Sequence, residues 1–206
     1  AEGFVVHLPE DRRYALGIGA YELGSGYARQ APLQRLARVP LAKLVDRTRH
    51  SAHLAVLHGN DVVYVIEERA PGRPHLVTDV GVRLPAQLTA SGRAILAALP
   101  TQQVRALFPN PSAFARREGR GPASPSALRH LLVTVRRNGY ALEQGEVTRG
   151  FASVAAAVLD HSHHPIAGVA ITYPELEVGS AERAVLVERV RDTAARLTRR
   201  FSGAGS

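Results

Sequence analysis

The stretches of this chain that favour β-structure come in adjacent pairs, and this pairing restricts the fold more than any other feature of the sequence. Residues 53–57 and 62–67 flank the turn-forming segment HGND, and residues 151–159 and 166–173 flank a second polar turn at 160–165. A short turn between two such runs is typical of a β-hairpin. Amphipathic helical patterns lie between the two pairs. This order predicts an α+β fold, with a central, largely antiparallel sheet flanked by helices.

Five segments show helical periodicity, with apolar residues three or four positions apart. They are residues 32–45, 90–99, 101–108, 125–137 and 182–201. We expect a kink in the first of them near Pro40. Ser124 and Gly139 favour the start and the end of the fourth, as N-cap and left-handed C-terminal cap. Residues 76–78 predict a third strand beside the first hairpin.

The N-terminal segment predicts a smaller element. Residues 4–8 and 14–16 predict two short strands around a polar turn, and the glycine-containing residues 17–30 predict a weak helix suited to a connector. A lone hairpin is marginally stable in water, so we expect this one to lean on other structure. The chain begins without methionine, in a segment already typical of mid-strand. We therefore expect it to be the remainder of a longer protein.

Composition excludes several classes of function. The chain has no cysteine, which removes disulfide frameworks, thiolate nucleophiles and cysteine metal sites. No apolar run reaches eighteen residues, and the first thirty residues lack the basic, apolar and small-residue order of a signal peptide. We therefore expect a cytoplasmic protein with no membrane partner. Lysine and arginine exceed the acidic residues by eight, and most of them are arginine. Because these charges are scattered, solvated faces are favoured over a continuous nucleic-acid footprint.

Motifs for an enzyme are weak. There is no G-x-S-x-G, and the glycines at 17–24 do not have the spacing of a dinucleotide-binding loop. Three histidines in the turn at 161–164 could share a metal, although the neighbouring turn residues favour a polar hairpin tip. Glu143 and Glu146 could form a catalytic pair or cap a neighbouring element. The alternative function is therefore a metal-dependent small-molecule enzyme that uses Glu143 and the turn at 161–164.

A loop rich in small residues, GVRLPAQLTASGRA at 81–94, leads directly into the second predicted helix. The first backbone N–H groups of a helix have no intrahelical partner, so a small anion could dock there. Any capped helix resembles this pattern. Ser91 is explained equally well as an N-cap and as a ligand contact.

Small side chains also run along a predicted strand. GYALE at 139–143 precedes GFASVAAAVLD at 150–160. Small side chains leave room beside a sheet, and Ser153 gives that room a hydroxyl. The alternative is close packing of a helix against the alanines, which predicts no cavity.

Taken in order, these segments resemble the effector-binding domain of the IclR family of transcription regulators. YALG at 14–17 is similar to the family's exit from the DNA-binding wing, and TASGRA at 89–94 is similar to its motif at a helix start. GYA at 139–141, with Gly150 and the small-residue strand, is similar to its signature region. The resemblance covers nearly the whole chain, and no single motif would suffice.

The resemblance implies a GAF-like or profilin-like domain with a pocket for a small organic effector, either a carboxylate or an aromatic metabolite. It also implies a winged helix-turn-helix that binds operator DNA, of which only the wing hairpin would be present, at residues 1–16. Residues 17–31 would be the linker helix and residues 32–203 the effector-binding domain. Homodimers or homotetramers are expected, with no cofactor, no metal and no catalytic residue.

Carried over by motif, the resemblance implies eight residues around the effector. They are Leu76, Leu84, Ala90, Ser91, Glu143, Ser153, Ala170 and Thr172. The N–H groups at the helix start and Ser91 would hold an anionic end, Ser153 and Thr172 would supply hydroxyls, and the leucines would form an apolar wall. Glu143 would repel an anion unless it is protonated or meets a hydroxyl or amine of the ligand.

The sequence departs from the family pattern at five positions. The family often has cysteine where Ser153 stands, histidine at Gln87, lysine at Arg93, proline at Ala157 and serine at Ala170. Fewer hydroxyls at the back of the pocket disfavour a small, highly polar acid such as glyoxylate.

The leading hypothesis is a sensor in which the effector changes the relative orientation of subunits, and with it the spacing of attached DNA-binding heads on an operator. The second hypothesis is the metal-dependent enzyme. The third is a domain that only oligomerises and whose pocket is vestigial.

Overall fold

The chain divides into two compact units, Ala1–Ala37 and Arg38–Ser206. The structure is a computed structural model, and it describes residues 3–10, 12–23, 32–74, 76–117 and 119–203.

The first unit contains the expected hairpin. Strands β1 (Val5–Leu8) and β2 (Arg13–Leu16) are antiparallel, with Val5 opposite Leu16. Every residue of both strands is exposed. Residues 18–23 are helical, as expected for the start of the connector, and residues 24–31 lie outside the described residues.

The second unit is built on a six-stranded sheet in the order β5-β4-β3-β8-β7-β6. All neighbouring strands are antiparallel, which confirms the prediction. The two predicted hairpins, β3–β4 and β7–β8, lie side by side because β3 pairs with β8. The strands are β3 (Ser51–His58), β4 (Asp61–Glu68), β5 (Arg83–Pro85), β6 (Ala141–Gln144), β7 (Phe151–Leu159) and β8 (Pro165–Pro174).

The prediction of a strand at residues 76–78 is wrong. The strand that pairs with the first hairpin is β5, on the outer side of β4. Leu76 and Thr78 are buried whereas Val77 is 44% exposed, which reproduces the alternation of a strand. The segment has no strand structure, so the β-branched side chains of Val77 and Thr78, which favour strands, were misleading here.

Helices form at all five predicted segments. They are α1 (Pro32–Thr48), α2 (Ala90–Ala98), α3 (Thr101–Leu107), α4 (Pro125–Asn138) and α5 (Ser180–Gly203). α1 is helical on both sides of Pro40. Among the described residues, no helix combines the length and the apolar character that crossing a membrane requires.

Local capping explains where two helices begin. The Ser124 hydroxyl accepts a hydrogen bond in the first turn of α4, and Gly139 ends that helix at φ 74°, both as predicted. At the start of α2 the cap is Thr89, whose hydroxyl accepts a hydrogen bond from the Gly92 N–H at 3.0 Å. Ser91 is therefore not the N-cap, and its hydroxyl is left for another role.

The main apolar core lies between the sheet, α2 and α4. It includes Ala55, Tyr64, Ile95, Leu96, Leu128, Leu132, Ala155 and Ala170. α5 packs against β7 and β8, which also contact α2. These two strands are therefore covered on both faces, and this explains why residues 151–159 are small or apolar nearly throughout.

Two glycines allow α2 to lie close to its surroundings. A Cβ on Gly92 would lie 2.2 Å from the Ala86 carbonyl oxygen, and a Cβ on Gly168 of β8 would lie 2.8 Å from the Ser91 carbonyl oxygen. Neither distance is compatible with a side chain unless the backbone moves. The glycines therefore set how deeply the start of α2 sits against the preceding loop and against β8.

The Gly92→Ala variant tests this close approach by the sign of its effect. Alanine is the better helix former by about 1 kcal/mol, so helix propensity alone predicts a more stable protein. The clash with Ala86 predicts the opposite, a loss of about 1–3 kcal/mol in the free energy of unfolding. Urea denaturation measures the difference. A stabilised variant would show that α2 does not need this contact.

Candidate functional site

A small cavity lies between the N-terminus of α2 and the sheet. The space open to the centre of a water molecule measures about 20 Å³, which is room for one or two waters. The site is therefore contracted, and a metabolite fits only if the walls move apart. The walls are His53, Tyr64, Leu76, Thr78, Thr89, Ala90, Ser91, Glu143, Val147, Thr148, Phe151, Ser153, Ala170 and Thr172.

Seven of the eight residues predicted around an effector line this cavity. They are Leu76, Ala90, Ser91, Glu143, Ser153, Ala170 and Thr172. Strand register explains part of the grouping, because Ser153 on β7 lies opposite Glu143 on one side and Thr172 on the other. The structure does not place Leu84 there, since it is buried in the apolar core on β5.

Sequence reasoning missed the other half of the wall. The residues concerned are His53, Tyr64, Thr78, Thr89, Val147, Thr148 and Phe151. His53 is the one that could have been suspected, because it is a polar side chain within an apolar strand pattern. Its position opposite Ala170 depends on the pairing of β3 with β8. That pairing joins distant parts of the chain and has no local signal.

Several buried polar atoms at the cavity have no hydrogen-bond partner in the described part of the chain. They are both ring nitrogens of His53, Thr78 Oγ1 and Ser91 Oγ. His53 and Ser91 are each 1% exposed. Burial lowers the pKa of His53 to about 4, against a small opposing effect of Asp79, so its imidazole is neutral at physiological pH. Buried polar groups in native proteins are nearly always paired, so this group of atoms calls for a ligand or water.

Glu143 is a buried carboxyl in the same wall, 3% exposed. Its Oε1 accepts a hydrogen bond from the Val147 N–H at 3.0 Å. The pKa of Glu143 is raised to about 7, mainly by burial and also by the charge of Glu146, although hydrogen bonds from the Val147 and Glu146 N–H groups and from Ser153 lower it. Near neutral pH, Glu143 is therefore present in both its neutral and its ionised form.

Tyr64 connects these groups. Its ring meets His53 edge-on, with centroids 5.7 Å apart. Burial raises the pKa of Tyr64, the Glu143 charge raises it further, and the Ser91 hydroxyl partly offsets the rise. The Ser91 hydroxyl nevertheless makes no hydrogen bond to Tyr64 or to any other described residue.

Arg93 is nearly fully buried but takes no part in the wall. Its guanidinium donates to the Gln87 carbonyl at 2.8 Å, to the Leu142 carbonyl at 2.6 Å and to the Glu146 carboxylate at 2.9 Å. These bonds tie the start of α2 to β6 and the loop after it. Among the described residues, neither arginine nor lysine lines the cavity.

The positive end of α2 is what the cavity offers to an anion. Thr89 satisfies the N–H of Gly92, whereas the N–H groups of Ala90 and Ser91 belong to the first turn, where no intrahelical acceptor exists. Together with the helix dipole, such groups favour a carboxylate.

The structure separates the two parts of the metal-enzyme hypothesis. In the turn, Asp160 Oδ1 accepts hydrogen bonds from the Ser162 and His164 N–H groups at 2.8 and 2.9 Å, as in a polar hairpin tip. Glu143 lies opposite Ser153 of β7. Ser153 is seven residues before Asp160, which corresponds to about 23 Å along the strand. Within the described residues, no group of three metal-binding side chains comes together. His161 and His163 therefore lie too far from Glu143 to share a metal with it.

Comparison with known proteins gives a consistent result. Residues 25–199 match the family described as bacterial transcriptional regulator IclR C-terminal. The chain is similar to the glycerol operon regulatory protein of Streptomyces coelicolor, with 32% identity over 99% of this chain and 80% of that protein. It is also similar to the HTH-type transcriptional regulator XynR of Escherichia coli, with 29% identity over 96% of this chain and 78% of that protein.

A solved structure supports the fold. The crystal structure of the Agrobacterium tumefaciens repressor BlcR superposes with a TM-score of 0.75 at 27% sequence identity, covering 97% of this chain and 79% of that one.

The buried carboxyl predicts a pH-dependent stability difference between the wild type and the Glu143→Gln variant. The pKa of Glu143 is raised in the folded state from an ordinary value of 4.5 to about 7. Wild-type stability is therefore lost as the pH rises through this interval, because folding then buries a charge. The variant lacks this loss, so its stability relative to wild type should increase by up to about 3 kcal/mol between pH 5 and pH 8.

Urea unfolding at several pH values measures this difference. Comparison with the variant isolates Glu143 from the opposite effect of His53, whose lowered pKa removes stability as the pH falls. A difference that stays constant from pH 5 to pH 8 would contradict the titration of Glu143 in this range.

Proposed function

This chain belongs to the IclR family of bacterial transcriptional regulators, and we propose that it senses a small hydroxylated organic acid in the cavity at the start of α2. The observation that carries the proposal is the set of unpaired buried polar atoms on His53, Thr78 and Ser91. Each such group costs about 1–3 kcal/mol when it is left without a partner. Their position around one cavity supports a polar ligand as the missing partner.

The carboxylate of the effector would lie against the first turn of α2. The N–H groups of Ala90 and Ser91 and the Ser91 hydroxyl would donate hydrogen bonds to it, in the positive field of the helix end. Because no cationic side chain lines the described wall, these neutral donors would be the main partners of the charge.

Hydroxyl groups of the effector would satisfy the opposite side. A neutral imidazole provides one donor and one acceptor, which suits His53 to a hydroxyl, and Thr78 offers a second such partner. The carbon skeleton would contact Leu76 and Phe151. The contracted cavity supports a short aliphatic acid over an aromatic one. The sequence disfavoured a small, highly polar acid such as glyoxylate, but His53 and Thr78 add polar groups that were not among the eight expected residues.

Glu143 would meet the acid in its neutral form. Two ionised carboxylates in one buried site repel each other, and one of them then takes up a proton. The pKa of about 7 makes that uptake inexpensive at neutral pH. The neutral carboxyl would then donate a hydrogen bond to the effector.

The contracted cavity supports a switch between two conformations. A ligand shifts an equilibrium only if it binds one state better than the other. The present cavity holds only one or two waters, so an acid would bind the expanded state alone. The segments that would move are the two loops without strand structure that contribute Leu76 and Thr78, and Val147 and Thr148, to the wall.

The output of this switch would be DNA binding. In our proposal the regulator acts in the cytoplasm as a homodimer or homotetramer, and expansion of the cavity changes the spacing of its DNA-binding heads on an operator. The similar Streptomyces coelicolor protein is named for a glycerol operon. That name supports a hydroxylated effector. An oligomerisation domain with an unused cavity is the remaining alternative.

The pH dependence of binding tests the role given to Glu143. Small hydroxy acids such as lactate, glycerate and malate should bind more tightly as the pH falls from 8 to 6, because binding takes up a proton at this residue. Above pH 7 the affinity should change by up to about tenfold per pH unit. The Glu143→Gln variant should bind the same acids with little pH dependence.

Isothermal titration calorimetry with this panel measures the affinity at each pH, and glycerol serves as an uncharged control that should show no such trend. If none of the acids binds at any pH, the proposed effector class is wrong. If affinity rises with pH, Glu143 is not the proton acceptor.

The Ser91→Ala variant separates a ligand contact from a structural hydroxyl. Its unpaired hydroxyl stabilises nothing in the described structure, so the variant should be as stable as wild type or slightly more stable. Its affinity for the acid should fall about three- to tenfold, the value of one hydrogen bond. Thr89→Ala serves as the comparison for stability alone, because loss of the cap should cost about 1 kcal/mol and Thr89 itself lines the cavity. Loss of stability in Ser91→Ala with unchanged affinity would favour the alternative of an unused cavity.

A further inference from the structure

We propose a second ligand site, a basic groove between α1 and α5 that binds a small phosphorylated, hydroxyl-bearing metabolite. Its volume is about 300 Å³, which is within the range of small-molecule sites. It is far larger than the cavity at the start of α2, which we call the effector cavity. The basic groove is lined by Val39, Pro40, Lys43, Leu44, Asp46, Arg47, Arg189, Asp192, Thr193, Arg196 and Arg200. None of these residues belongs to the effector cavity.

The basic groove has a net positive charge. Five cationic side chains and two carboxylates line it, a surplus of three positive charges. Arg196 pairs with Asp192 at 3.2 Å. Lys43, Arg47 and Arg189 form no ion pair with other residues of the described chain. Like charges in one concave surface raise its potential, and a bound anion lowers it.

The types of residue point to phosphate. Guanidinium groups present a planar fork that matches two phosphate oxygens, and the chain uses arginine at four of the five cationic positions. A single carboxylate would neutralise only a third of the surplus charge. A phosphate monoester carries close to two negative charges at neutral pH, which suits this surface better.

The apolar and acidic residues of the basic groove indicate which groups the ligand carries besides its phosphate. Val39, Pro40 and Leu44 provide an apolar floor, of which Leu44 is buried. Asp46 and Asp192 offer carboxylate oxygens that accept hydrogen bonds from hydroxyl groups. A phosphorylated sugar or a nucleotide has this combination of anionic head, carbon body and hydroxyls.

Duplex DNA fits the basic groove less well. Its phosphates are spread along a rod and require basic side chains distributed over a wide surface. Here the positive charges are gathered in one concavity together with two carboxylates, which would repel a run of phosphates. DNA is therefore an outcome to be tested and not the proposed partner.

The position of the basic groove suggests regulation. α1 begins in the first unit and continues into the second, and the groove is formed by the part of α1 from Val39 onward. A ligand that links this part of α1 to α5 would restrain the helix that connects the two units. The phosphorylated metabolite would thus act as a second signal, independent of the effector cavity.

Calorimetric titration of the whole chain at 150 mM salt tests the proposal with two probes, glucose 6-phosphate and ATP. At least one of them should bind with a submillimolar dissociation constant, and unphosphorylated glucose should not bind. The Arg47→Gln/Arg196→Gln variant should lose about tenfold or more in affinity, since two phosphate contacts are removed. Both side chains are exposed, so folding should be unaffected, as circular dichroism and thermal unfolding would verify.

The matched control is the Arg105→Gln/Arg137→Gln variant, which loses the same charge at exposed positions on α3 and α4 outside the basic groove. Its affinity should stay within about twofold of wild type. Absence of binding by both probes at 5 mM, or equal losses in the two variants, would overturn the proposal. The proposal would also be overturned if the Arg47→Gln/Arg196→Gln variant lost only affinity for duplex DNA, or if it changed only the oligomeric state measured by sedimentation. If the double variant is unstable, the Lys43→Gln variant replaces it with the same criteria.

Discussion

The close approach of α2 to the sheet is the contact on which the fold of the second unit and the candidate site both depend. Gly92 lets the helix touch the Ala86 carbonyl, and Gly168 lets β8 pass beneath Ser91. Arg93 then donates a buried hydrogen bond to the Gln87 carbonyl and two partly buried ones that join the helix start to β6 and the loop after it. Any larger residue at either glycine would move the N–H groups of α2 away from β7 and β8. The motif that opens the helix is therefore a packing motif first, and it creates the site as a consequence.

That close packing also has an energetic cost at the cavity. His53, Thr78 and Ser91 keep buried polar atoms without partners, and burial raises the pKa of Glu143 to about 7. Arg93 shows the contrast, because it is equally buried and all its described contacts are satisfied. Arg93, which holds α2 in place, is fully paired, whereas His53, Thr78 and Ser91 keep unpaired atoms at the cavity. This division supports a ligand at the cavity, and it leaves the basic groove between α1 and α5 as a separate, exposed feature of different chemistry.

Much of the fold could be predicted from local pattern. All three hairpins, all five helices and the caps at Ser124 and Gly139 follow from spacing and turn chemistry within a few residues. The exception at residues 76–78 has a physical cause: Val77 and Thr78 have the β-branched side chains that favour strands, but the segment is a loop from which Leu76 and Thr78 line a cavity. Seven of the eight expected site residues line one cavity. They were proposed by family resemblance and not by pattern, since no local signal links residues so far apart.

What the sequence determined by itself is therefore the type and limits of most helices and strands, because hydrogen bonding and side-chain periodicity within an element are local. The tertiary structure decided which side chains face each other. His53 reaches the site only through the pairing of β3 with β8, and Leu84 was drawn into the core by the pairing of β5 with β4. The size of the cavity and the gathering of arginines between α1 and α5 were also decided at that level. Both depend on how elements from distant parts of the chain pack, and packing is a property of the assembled volume and not of any one segment.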